Sequence, residues 1–353
     1  MRKRRRRTGF GLALLLVFLL ADCGGTKRFD IAEGADFYIL GYDGVTGYRM
    51  DNGQPVPVAQ TEMKLVKKSV NPLVHRAEFH ARYVVFFDEA GRVVSVDFHE
   101  GKVRFQKTKH GAWTTAGSSN DNYFAYTNGV AVFTPELKET DYVKLEPSVL
   151  VNDFQVADDP FFMTGSDLQE SVDEFGNRVF QNRLLQGSVQ DGKLTIENRG
   201  ALENGSYWFG DTLGQGDVFY CVCLGWTDPA TRQKVMEGSM FRYDVGQGTG
   251  EFFPIGESGP LDLYDVGENR LAITHMFRFG FTLFDQTTGT SSFVELEEQE
   301  EERIMDIQRL DADRLLILSE TRLLAYNLNT GAIDFAMPCD SKTGTAFHVW
   351  VVK

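Results

Sequence analysis

Asp153, Asp262 and Asp306 each open a strand-like apolar run about 20 to 23 residues ahead of a turn, and Trp113 stands in the same relation to a fourth turn. One further step of 42 residues from Asp306 falls on His348, inside the run from Ala346 to Val352. If these five positions line one channel, the clustered carboxylates can bind a cation. Alternatively, one carboxyl with a raised pKa acts as a base beside His348. The same residues have a structural reading, in which each Asp accepts hydrogen bonds from backbone amides of the neighbouring unit or from a channel water, as buried polar groups must.

A second candidate is Tyr207-Trp208-Phe209, preceded by Asn204-Gly205-Ser206. On a loop, Tyr207 and Trp208 would stack on a sugar; in a chain with 28 Phe and 12 Tyr, core packing is the competing reading. Other chemistry is missing from the sequence. Gly256-Glu257-Ser258-Gly259-Pro260 sets its second glycine one place early for a nucleophile elbow. Gly246-Gln247-Gly248-Thr249-Gly250 lies between two strand-like runs, so no helix N-terminus follows to hold a phosphate, and it reads as a turn. The six histidines, His75, His80, His99, His110, His275 and His348, include no pair at the i, i+4 spacing of a helical zinc site, and no metal site is expected from them. Cys221 and Cys223 flank one residue in an apolar strand and point to one face, which suits buried thiols; Cys339 is left open as a partner for either.

The elements that must position these groups repeat. An alternating apolar strand, an Asp or Asn in a turn that usually contains Gly, and a second strand recur at 43, 88, 244, 285 and 327, with weaker copies ending at Thr134 and Asp173. Five of the six steps fall near the spacing of a four-stranded propeller blade, roughly 40 to 50 residues. The long step from Asp173 to Asp244 marks an insertion or an irregular blade. The expected fold is all-β, a propeller of about seven four-stranded blades over 37–353. Asp153, Asp262, Asp306, Trp113 and His348 would stand on its innermost strands. No hairpin follows His348, so the C-terminal strand is expected to join strands from residues 37 to 50, closing the ring and removing free sheet edges. The competing fold is a two-sheet sandwich followed by a smaller β domain.

The run Leu323-Leu324-Ala325-Tyr326-Asn327-Leu328-Asn329-Thr330-Gly331-Ala332-Ile333 resembles the repeat of quinoprotein-like propellers, and Phe284-Asp285 with Thr288-Gly289 is similar. The resemblance covers two blades well and three loosely, and implies the fold. Family members that hold pyrroloquinoline quinone use adjacent cysteines and a stacking tryptophan. Here a residue separates Cys221 from Cys223, so no quinone is expected.

The N-terminus carries six cations from Arg2 to Arg7, then an apolar run from Phe10 to Ala21. Twelve residues at 1.5 Å each reach about 18 Å, short of a bilayer core of roughly 30 Å, so the segment reads as a signal peptide rather than a permanent span. Leu20-Ala21-Asp22-Cys23 resembles the lipobox of bacterial lipoproteins, although Asp22 departs from the small neutral residue that family places before its cysteine. The resemblance implies diacylglycerol on Cys23 and a tether over 23–36; ordinary cleavage, leaving a secreted protein, is the alternative. Formal net charge is −14 for the whole chain, and the export segment holds six of its 36 Lys and Arg but one of its 50 Asp and Glu. The exported part is therefore strongly acidic, which disfavours nucleic acid as a partner.

Together these observations read as a membrane-anchored extracytoplasmic binding or interaction module for a protein or carbohydrate, without catalysis and without a cofactor beyond a cation in the channel. The rival readings are a secreted hydrolase or lyase acting on carbohydrate or lactone in the propeller funnel, and a sensor or assembly subunit of an envelope complex.

Overall fold

A computed structural model describes residues 24–353, apart from 68–75, 80–81, 89–90, 108, 111–114, 120–121, 127–128, 146–148, 156–159, 168–180, 203–206, 229, 232, 298–301, 340 and 353. Seven antiparallel sheets of four strands, taken in chain order, form the blades of a propeller. Blade 1 combines Ala346–Val351 with Phe37–Gly41, Gly44–Asp51 and Gln54–Glu62. Blade 2 runs Arg76–Phe79, Tyr83–Phe87, Arg92–Asp97, Lys102–Lys107, and blade 3 Thr115–Ser119, Asn122–Tyr126, Gly129–Phe133, Glu139–Lys144. Blade 4 is Val149–Gln155, Phe161–Asp167, Gln181–Gln190, Lys193–Ala201. Blade 5 is Tyr207–Gln215, Val218–Thr227, Ser239–Asp244, Thr249–Pro254, with a short extra strand at Lys234–Val235. Blade 6 is Pro260–Gly267, Arg270–His275, Gly280–Asp285, Thr290–Glu295, and blade 7 is Ile304–Arg309, Arg314–Ser319, Arg322–Asn327, Ile333–Pro338. Among the described residues the one helical segment is the 3-10 turn Ser341–Thr343.

The second strand of each blade is apolar on both faces because it is sandwiched between neighbouring blades. In Tyr83–Phe87 the side chains of Tyr83, Val85 and Phe87 join a cluster with blade 3, while Val84 and Phe86 join one with blade 1. Such a cluster fills each seam between blades; across the seam of blades 3 and 4, Phe124 and Phe161 sit 4.5 Å apart. The ring closes as expected, with Phe37 opposite Val351 and Leu40 opposite His348 in blade 1.

Two expectations need correction. The seven turns used to count blades are not equivalent: 43 and 88 join second to third strands, whereas 134, 244, 285 and 327 join third to fourth. The third-to-fourth turns of blades 1 and 2 follow Asp51 and Asp97. The count survived because each blade contributes one position to the series, whether from its second-to-third or its third-to-fourth turn. In blades 6 and 7 the turn is built alike: Asp285 Oδ1 accepts the amides of Thr287 and Thr288, and Asn327 Oδ1 those of Asn329 and Thr330. Gly289 and Gly331 follow at φ of 69° and 71°, a region open to glycine. The turn expected at 173 lies outside the described residues.

The second correction concerns the tether. Gly24–Arg28 is a fifth strand on the outer edge of blade 2, with Gly24 opposite Gln106 and Arg28 opposite Lys102. Phe29 is buried and its amide donates to the Gly101 carbonyl at 2.9 Å. A side chain at Gly101 would meet that carbonyl at 2.5 Å, so glycine is needed there. The Asp36 carboxylate accepts the Met50 amide at 2.6 Å. Residues 24–36 are therefore laid across blades 1 and 2 rather than hanging free, because Phe29 finds Tyr38 and Phe98 to pack against.

Candidate functional site

Asp153, Asp262, Asp306 and His348 all stand on innermost strands, those of blades 4, 6, 7 and 1. Trp113 and Cys23 lie outside the described residues. The pairing register breaks beside each of the four, between Val151 and Asp153, Pro260 and Leu263, Ile304 and Asp306, and opposite Leu40 and Gly41 for His348. Such a bulge leaves a residue unpaired and re-aims a side chain sideways. Blade 5 breaks in the same place, around Asp211, a position the sequence reasoning missed. Its signal was available, since Asp211 falls between Asp153 and Asp262 in the series of innermost aspartates.

Two of the innermost carboxylates, Asp211 and Asp306, reach the next blade. Asp211 Oδ2 accepts the Leu263 amide of blade 6 at 2.6 Å. Asp306 Oδ2 accepts the Val349 amide of blade 1 at 2.9 Å and lies 2.5 Å from His348 Nδ1. Asp262 bonds within its own blade, accepting from the Thr274 hydroxyl at 3.3 Å while its amide donates to that oxygen at 3.1 Å. The Asp306 and His348 side chains are 0% exposed. A paired carboxylate and imidazole have the composition of an acid/base couple, but a substrate has no approach to atoms buried within the ring. Among the described residues no group of three His, Cys, Asp or Glu is placed to hold a metal ion.

Tyr207 and Trp208 are not on a loop. They begin the innermost strand of blade 5, where the Tyr207 ring stacks on Phe252 at 4.5 Å and lies 6.4 Å from Trp226, so alternation turns Tyr207 into the apolar seam. The sugar-stacking pair is thereby dismantled, because consecutive strand residues face opposite ways. Cys221 and Cys223 are buried free thiols and Cys339 is a half-buried one.

His275, at the end of the second strand of blade 6, is 4% exposed. Its Nδ1 lies 3.3 Å from the Ser258 carbonyl and can only donate there, which leaves Nε2 to accept from the Thr282 hydroxyl at 2.8 Å. Burial holds its pKa below the ordinary imidazole value, against the opposing pull of the Ser258 carbonyl and Glu257. With the folded pKa depressed, stability is full above the unfolded value of about 6.5 and falls as acid protonates the unfolded chain first. Urea midpoints taken from about pH 7.5 to about pH 5.5 should decline, and His275→Gln should flatten that decline. An unchanged slope in the variant would assign the pH dependence elsewhere.

The face bearing the second-to-third-strand turns also carries an apolar corner that sequence reasoning did not find. Met236, Met276 and Phe277 are 42%, 49% and 63% exposed. The Met276 amide donates to the Gly259 carbonyl at 2.7 Å, and the Phe277 ring leaves only 2.8 Å for a side chain at Gly259, whose φ is +62°. Arg278 fixes the same turn through Glu257 and Glu295, each at 2.8 Å. The segment leading from Met236 abuts this corner, because Gly238 lies against the Glu257 carbonyl. Nothing in their local spacing separates these residues from the many core aromatics, so no sequence signal marked them.

No protein-family model and no curated sequence matches the chain. Solved structures do. The dihydro-heme d1 dehydrogenase NirN, in complex with DHE, matches over 94% of this chain and 78% of its own at 12% identity, with a TM-score of 0.53. A chain of a nidogen/laminin complex matches over 91% of this chain and 100% of its own at 8% identity, with a TM-score of 0.50. A D477G ACO/RPE65 chimera matches over 93% and 94% at 9% identity, with a TM-score of 0.51. The fold is a seven-bladed β-propeller. At these identities the likeness extends to the propeller and no further, since one fold serves unrelated chemistries.

Proposed function

We propose that this propeller is a lipid-anchored, extracytoplasmic, non-catalytic module that binds a protein partner through the corner formed by Met236, Met276 and Phe277. The observation that carries the reading is that corner: a large aromatic side chain 63% exposed, yet fixed in place by Gly259 and Arg278, next to the exposed Met276 and with the exposed Met236 on the adjoining segment. Rigid exposed aromatics with adaptable Met neighbours are characteristic of protein interfaces and cost little ordering on binding. The buried Asp306 and His348 support the non-catalytic part, because the groups best suited to acid/base work are spent on joining blades. The basic start, the apolar run and Cys23 support export and anchoring. The Thr-Gly turns of blades 6 and 7 support descent from a quinoprotein-like repeat that carries no quinone.

The full chain, extracted from its own membranes in mild detergent, should migrate on a native gel as a complex larger than the single chain. Met276→Asp with Phe277→Asp should reduce it to single-chain size while leaving the thermal transition in place, because both side chains are already largely in solvent. Unaltered migration of that double variant would reject the corner as the docking surface.

A further inference from the structure

The outer edge of blade 2 is chemically unlike the other six. Every other outermost strand carries an acidic residue: Glu62, Asp141, Glu197, Glu251, Glu295 and Asp334 in blades 1, 3, 4, 5, 6 and 7. The fourth strand of blade 2 reads Lys102-Val103-Arg104-Phe105-Gln106-Lys107, and the added edge strand reads Gly24-Gly25-Thr26-Lys27-Arg28; neither contains an acid. Lys102 and Arg104 are occupied by Glu100, with Asp97 also beside Arg104. Lys27, Arg28 and Lys107 are exposed, with Lys27 resting 5.6 Å above the Phe105 ring. In a chain of net charge −14 this is a local reversal of sign. It begins at Gly24, the residue next to Cys23.

We infer that this basic edge, Lys27, Arg28 and Lys107, lies on an anionic lipid surface, so that the propeller stands on the rim of blade 2 with blades 5 and 6 farthest from the membrane. The inference deepens the anchored reading and rests on it. A lipid on Cys23 leaves no flexible spacer before the paired strand, so the membrane is within a residue or two of this edge. Cations within a Debye length of about 10 Å are attracted to an anionic leaflet and hold the orientation that the lipid alone leaves free. In a ring of seven, blades 5 and 6 lie across from blade 2, which presents the Phe277 corner outward. Lysines on an edge strand also block edge-to-edge pairing, and that role alone predicts no preference for lipid charge.

The test uses the full chain as it matures in the membrane, purified and reconstituted into vesicles of phosphatidylcholine with and without phosphatidylglycerol. A fluorophore is placed at Thr26→Cys on the rim or at Thr249→Cys on blade 5. Labelling is selective because Cys221 and Cys223 are buried and burial, with Glu302 nearby, pushes the Cys339 thiol up to about 12. Headgroup-bound quenchers should dim the label at 26 at least about threefold more than that at 249 in anionic vesicles, and the difference should shrink in neutral vesicles, in high salt and in the Lys27→Gln, Arg28→Gln, Lys107→Gln variant. Equal quenching at both sites, or a difference indifferent to lipid charge, overturns the orientation with the anchor intact. A mature N-terminus whose mass lacks diacylglycerol overturns the anchor, and the orientation with it.

Discussion

Asp306→Ala is expected to lower the unfolding free energy by about 3 kcal/mol, read as a shift of the urea midpoint at unchanged slope. The carboxylate is 0% exposed and serves two partners on the closing strand of blade 1, the Val349 amide at 2.9 Å and His348 Nδ1 at 2.5 Å. Truncation removes the acceptor of the Val349 amide and the carboxylate beside His348, and a buried polar group that loses such a partner costs part of its solvation. The loss falls on the seam between blades 7 and 1, at the strand Ala346–Val351 that pairs with Phe37–Gly41 to close the ring within blade 1. Asp306→Asn keeps an acceptor for the amide and should cost about 1 kcal/mol. A cost for Asp306→Ala of the size of an ordinary surface substitution, within about 0.5 kcal/mol, would remove the seam from the account.

Arg322→Met should cost about 3 to 5 kcal/mol, for a related reason at another seam. Glu302 arrives on the connection from blade 6 with its side chain 1% exposed, and Arg322 covers it with three contacts at 2.6–2.9 Å. Ser319 donates to the same carboxylate, as does Thr321 at 3.1 Å, and Arg322 also donates to the Glu297 carbonyl. Removing the guanidinium strips a buried carboxylate of the cation that covers it. Glu302→Gln in the Arg322→Met background should recover much of the loss, since neutralising the acid relieves the stranded charge. If the double variant is as unstable as the sum of the singles, the pair is not coupled and the hairpin at 319–322 is held by packing alone.

The propeller was legible from turn chemistry and spacing, because Asp or Asn at a turn and Gly after it report a local requirement that each blade repeats. Its phase was not, since Asp43 and Asp88 carry the same chemistry at a different corner of the blade. Innermost strands were legible for the same reason: Asp262, Asp306 and His348 recur at one bulged position. What those side chains do there depends on whether a neighbouring blade offers an amide, a contact made across the ring and invisible to spacing. The segment after Cys23 read as a tether because Gly24-Gly25 is glycine-rich and short, yet Phe29 commits it to a pocket between blades that no local pattern announces. Tyr207 and Phe277 show the same limit from opposite sides. Both are aromatics near turns, and only the assembled ring decides that one is packed and the other exposed.

Amide hydrogen exchange at Leu263 and Val349 in the native protein tests most directly whether the innermost carboxylates lock blades together. Both amides should exchange as slowly as the global unfolding reaction allows. Asp306→Ala should accelerate Val349 well beyond the general acceleration that the lowered stability gives Leu263, which Asp211 still holds. Rapid exchange of Val349 in the unaltered chain, as for an amide lining a solvent-filled channel, would contradict the account and return Asp306 and His348 to the position of an open site.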